Sequence, residues 1–175
     1  MATLKVEIRE SVKLDNNDYN SYNFHTISNI NDISRRKITL TTTESAIIAM
    51  DNTLIGAGTY VENSVRYIRV TNLSKEFPVV LTLKNDDTDE VKIKIDKQAS
   101  FIYTGEAGID GVFSGSGVQN SFDADNDVIG STDNLGDLVN ITAYTSASVE
   151  NIELGDAGSG SGVVKAGIEL FVASI

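Results

Sequence analysis

Hydrophobic side chains fall on every second position in two neighbouring stretches: Val79, Leu81 and Leu83, then Val91, Ile93 and Ile95. Between them lie Val80, Thr82 and Lys84 on the first run, and Lys92, Lys94 and Asp96 on the second. A period of two sends alternate side chains to opposite faces of a sheet, so both runs read as strands with one apolar face. The turn-forming residues 85–89 (NDDTD) between them predict a hairpin.

The same pattern recurs along the chain. Leu4, Val6 and Ile8 alternate with Lys5, Glu7 and Arg9 and predict a first strand with one polar face. Residues 15–32 contain six asparagines with Tyr19, Tyr22 and Phe24. Asparagine competes for its own backbone, so this segment reads as an ordered loop or irregular edge strand, with a short β segment at Tyr22, Phe24 and Thr26. Residues 37–43 (KITLTTT) and 65–71 (VRYIRVT) are strand-like, and Pro78 stands at the mouth of the next strand. The best helical candidate is 44–50 (ESAIIAM), although its length suits a buried strand equally. A turn at Asp51-Asn52 follows it.

Ser100 to Thr104 reads as another strand. Gly105 to Asn134, with six glycines, has no regular period and is expected to project as a long loop. Patterning resumes at Leu138–Tyr144 and Val149–Leu154. A Gly/Ser-rich insert at 155–162 and a last strand through Ile168, Leu170 and Val172 complete the chain. The expectation is one domain, 1–175, all-β: an antiparallel β-sandwich, jelly-roll-like, with long glycine-rich insertions.

Composition narrows the chemistry. The chain has 175 residues, enough for one domain that buries roughly 70% of its unfolded surface. A net charge of −11 opposes phosphate backbones, so no nucleic-acid partner is expected. There is no cysteine, which removes disulfides, thiolate catalysis and Cys-based zinc sites. No run approaches the ~20 apolar residues of a membrane helix, and residues 1–10 lack a signal-peptide core, so neither membrane insertion nor export is expected.

His25 is the single histidine, so a Ser-His-acid triad would have to use it as base. No serine lies in a Gly-x-Ser-x-Gly elbow, and the Gly/Ser runs read as linkers. The glycine-rich segments lack the strand–loop–helix order and the Gly-Lys-Ser/Thr of a phosphate loop. Asp123, Asp125 and Asp127 start like a Ca²⁺ loop, but Val128 replaces the turn glycine and Asn134 the closing glutamate. They are a weak Ca²⁺ candidate, and no other cofactor is expected. Tyr19 and Tyr22 offer a small aromatic surface for sugar, without any tryptophan beside them.

The runs VRYIRVTNL, FPVVLTLKN and Phe101-Ile102-Tyr103, with LGDLVNITAYT and IELFVAS, resemble small β-sandwich virion proteins of tailed bacteriophages, particularly those of marine cyanobacterial phages. The resemblance covers about residues 33–104 and 136–175. It rests on strand runs and assigns no site residue. It implies a non-enzymatic capsid decoration, cement or head-fibre protein, made in the host bacterial cytoplasm and located in the virion. Its partners would be further copies of itself, as a trimer or hexamer, and the major capsid protein. Neighbouring subunits would cover the outward Val80, Tyr144 and Phe171. The alternatives are a neck or tail component, or a carbohydrate- and host-recognition module using 15–32 and 105–134. A small acidic hydrolase is the enzymatic rival.

Overall fold

The computed structural model describes residues 2–50, 56–61, 64–85, 90–104, 138–145 and 164–175. The Gly105–Asn134 run, the Val149–Leu154 strand and the 155–162 insert expected from sequence lie outside these residues. Every regular element described is a strand: β1 (Ala2–Leu14), β2 (Asn17–Ile30), β3 (Asp32–Leu40), β4 (Ser45–Met50), β5 (Thr59–Tyr60), β6 (Val65–Asn72), β7 (Val79–Asn85), β8 (Glu90–Ile95), β9 (Ser100–Thr104), β10 (Leu138–Thr145) and β11 (Ala166–Ser174).

The antiparallel pairs nest around the hairpin that the sequence announces most clearly. β7 pairs with β8, β6 with β9, β4 with β10 and β3 with β11. Two further pairings, β10 with β7 and β11 with β6, stitch these pairs into sheets. One sheet runs β5-β4-β10-β7-β8, and the other β3-β11-β6-β9. β5 joins its edge in parallel to β4.

The two sheets pack through one hydrophobic core. Val79, Leu81, Leu83, Ile95, Leu138, Ile141 and Ile48 come from the larger sheet. Ile68, Val70, Leu40, Ile168, Leu170 and Val172 meet them from the smaller one. Each such aliphatic side chain, fully buried, stabilises the fold by about 1.5–3 kcal/mol. The alternation of β7 and β8 is thereby explained: Leu81 and Leu83 face the core, whereas Lys84, Lys92 and Glu90 form ion pairs on the outside.

The helical candidate at 44–50 is instead strand β4. Ile141 lies opposite Ile48 and Thr142 opposite Ala46, so Ile47 is the extra residue of a bulge. A bulge places two successive residues on the same side of the count. Ile47 and Ile48 are accordingly both buried, which broke the period of two in the sequence.

Asn72, fully buried at the end of β6, fastens one rim of the sandwich. Its side-chain amide donates to the carbonyls of Phe77 at 2.9 Å, Asp96 at 3.2 Å and Ile95 at 3.3 Å. Its Oδ1 accepts from the Ser74 backbone N–H at 2.9 Å. The 73–78 crossover and the end of β8 are thus held by one polar side chain, whose hydrogen-bonding groups are all used.

Candidate functional site

Residues 15–32, expected to be a loop or irregular edge, continue as strand. β1 and β2 pair along their whole length to form a two-stranded arm, with Leu14 opposite Asn17 and Lys5 opposite Thr26. Asp15 and Asn16 make the tip, with φ values of 49° and 66°. That conformation suits a two-residue hairpin turn, and Asp and Asn tolerate positive φ better than most residues.

The root of the arm is anchored on the outer face of the β3-β11-β6-β9 sheet. Ile27, Ile30, Tyr67 and Ala173 form a second buried cluster, joined by Leu4, Val6 and Phe171. In a regular strand Ile27 and Ile30 would point to opposite faces. Between them the register shifts, with Ala2 opposite Ile30 and Leu4 opposite Ile27, and Asn29 takes φ 63°. The extra residue returns both isoleucines to the sheet. Asn31 N–H then donates to the Ser174 carbonyl at 2.9 Å as the chain enters β3.

Beyond the root the arm keeps two distinct faces. One continues the buried row of Leu4 and Val6 through Ile8, Val12 and Leu14, with Tyr19 opposite Val12. These four distal residues are between 45% and 59% exposed. The other face is a ladder of charge and aromatic rings. Glu7 receives Lys5 at 2.7 Å and Arg9 at 3.1 Å, Lys5 lies over Phe24, and Arg9 lies over Tyr22. The Lys5 hydrogen bond is the main reason the Glu7 carboxyl is held below its usual range.

Under the arm the sheet carries a compact ionic centre. Glu169 accepts from Arg35 Nη2 at 2.6 Å and Nε at 3.1 Å, and from Arg69 Nη2 at 2.6 Å. Arg69 also lies over the Phe171 ring. The Arg35 hydrogen bonds pull the Glu169 carboxyl below its ordinary value against the opposing effect of burial. Tyr67 is shifted upward by burial, against the nearby charge of Arg69. A crevice of about 400 Å³ separates arm from sheet, with Lys5, Glu7 and Ile8 lining it on the arm side and Arg35, Arg69 and Ile102 on the sheet side.

The residues singled out in the sequence are distributed differently. His25 is exposed on β2, opposite Val6. Tyr19 and Tyr22 lie on opposite faces of the arm and form no common platform; Tyr22 pairs instead with Phe24, ring centroids 6.1 Å apart. Phe171 is covered by the chain's own arm, and Val80 is buried within the single chain. Asp123, Asp125 and Asp127 lie outside the described residues, among which no group of three or more acidic, His or Cys side chains gathers to hold a metal. No described helix is long and apolar enough to cross a membrane. The Arg35–Glu169–Arg69 centre was not foreseen. Its signal is Glu169 standing inside the apolar run GIELFVA, where a burying strand demands a cation.

No protein-family model, curated protein or solved structure matches this chain.

Proposed function

We propose that this protein is a non-enzymatic structural subunit that assembles with copies of itself through its β1–β2 arm. The observation that carries the reading is the divided apolar row: Leu4 and Val6 are packed against the sheet, while Ile8, Val12, Leu14 and Tyr19 continue it into solvent. An isolated two-stranded hairpin is at best marginally stable in water. A long arm with one apolar face therefore gains most of its order by lying on another surface.

The nested pairing of β3, β4, β6–β11 across two sheets supports a jelly roll, in which two Greek keys wrap together. With the resemblance of its strand runs to small tailed-phage virion proteins, it supports placement in a virion as a capsid decoration, cement or head-fibre protein, with the major capsid protein as second partner. Light scattering on the purified chain tests the assembly claim: a multiple of the 18.8 kDa chain mass is expected, and a monomer at every concentration overturns it. Mass spectrometry of purified particles tests the virion placement, with absence from the particle the contrary result.

The Tyr22–Phe24 pair favours a second reading, a carbohydrate- or host-recognition module, because exposed rings stack on sugar faces. Binding on a glycan array that is lost in Tyr22→Ala would establish it.

A further inference from the structure

Resting on the assembly reading, we infer that the arm tip of one copy seats in the crevice between arm and sheet of a second copy. Three observations converge on this occupant.

The first is continuity. The arm root already packs its apolar face on this sheet, through Leu4, Val6 and Ile27 against Tyr67, Phe171 and Ala173. The distal row carries the same kind of side chain at Ile8, Val12 and Leu14, with Glu10 interrupting it between Ile8 and Val12. Immediately beside the root the same sheet face leaves Ile102 exposed at the crevice wall.

The second is charge. Beyond the root, the residues on the arm's apolar face are Ile8, Glu10, Val12 and Leu14 with Asn23, Ser21, Tyr19 and Asn17 opposite them. Its single charge is Glu10. The receiving sheet face sets Arg35, Lys37 and Arg69 against Glu169, since Lys37 and Glu169 are register partners and Phe171 lies between Arg35 and Arg69, while Lys5 and Glu7 on the crevice's arm side neutralise each other. A locally basic patch on a chain of net charge −11 attracts an acidic-edged arm and opposes docking of another basic one.

The third is reach. The chain's own arm borders the crevice as far as Ile8. At about 3.4 Å per residue, Leu14 stands roughly 20 Å further along the strand. A paired ribbon does not fold back on itself over that length, so the crevice receives the tip of another copy.

Because the chain has no cysteine, cross-linking reports on this contact cleanly. Leu14→Cys chains and Ile102→Cys chains are mixed as full-length protein and oxidised gently. The expected result is a disulfide-linked pair containing one peptide of each kind, since a disulfide requires Cα atoms within about 7 Å. Predominant Leu14→Cys self-linking would show arms packed on arms, and overturn the inference. So would absence of any cross-link in a sample that light scattering shows to be oligomeric, with the assembly reading left standing. A monomeric, uncross-linked mixture beside a parent chain that is itself monomeric would overturn both.

Discussion

The ring of Tyr67 stands edge-on to that of Phe171, with centroids 5.7 Å apart and planes at 81°. Aromatic pairs favour this arrangement because the positive ring edge meets the negative face. The pair is the floor on which the arm root rests. Phe171→Ala is expected to destabilise the protein by about 3 kcal/mol, the usual cost of removing a packed aromatic side chain. Limited proteolysis of the variant should release the arm first while the sandwich resists. Simultaneous digestion of arm and sandwich would contradict this division.

Glu169 makes stability depend on pH in a defined direction. Its folded-state carboxyl is held below the ordinary value by Arg35 and Arg69. The resulting stabilisation is present above the unfolded pKa of about 4.3 and disappears as pH falls through the lower folded value. Parent protein should therefore melt above Glu169→Gln at neutral pH, with the gap closing below about pH 4.3. A gap that widened on acidification would contradict the assignment.

Asn72 satisfies three carbonyls and one backbone N–H from a fully buried position. Truncation to alanine removes this donor from the buried Ile95 carbonyl and the half-buried Phe77 carbonyl, while Asp96 keeps its bond from the Ala99 N–H. A loss of about 3 kcal/mol in urea denaturation is expected. Asn72→Asp should cost more, because it places a carboxylate oxygen against carbonyl oxygens.

Gly58 occupies φ +98°, and a Cβ there would come within 2.6 Å of Arg36 Nη1. That guanidinium is itself held by the Ile47 carbonyl at 2.7 Å, so it has little freedom to withdraw. Gly58→Ala is expected to lower stability by about 1–3 kcal/mol, measurable as an earlier unfolding midpoint.

Much of the sandwich was legible because its strands set an apolar face toward the core, and β3, β8 and β9 wet the other. β7 and β8 alternate cleanly since Leu81 and Ile93 belong to the core side, while Lys92 and the buried Thr82 opposite it lie on the other face. β4 was ambiguous for a physical reason: the bulge at Ile47 cancels the period by which strands are recognised. β2 was hidden for another. Except for Ile27 and Ile30 its residues are exposed, so it had no continuous core face to imprint a hydrophobic rhythm. Its asparagines read as turn formers, although only the Asp15-Asn16 pair actually turns the chain.

The candidate site was half visible. Leu4, Val6 and Ile8 announced a strand with one apolar side, but the destination of that side depends on Tyr67, Phe171 and Ala173, far away in sequence. Arg35 and Arg69 likewise meet Glu169 only through the β3-β11-β6 register. Pairings of such long sequence separation leave no local spacing to read.

The central claim is that the exposed row of the arm is an assembly surface. Sedimentation equilibrium of the full chain beside a Val12→Ser, Leu14→Ser, Tyr19→Ser variant tests it most directly. The account predicts an oligomer for the parent and a monomer for the variant, with the melting temperature of the sandwich retained. Equal masses for the two proteins would contradict it.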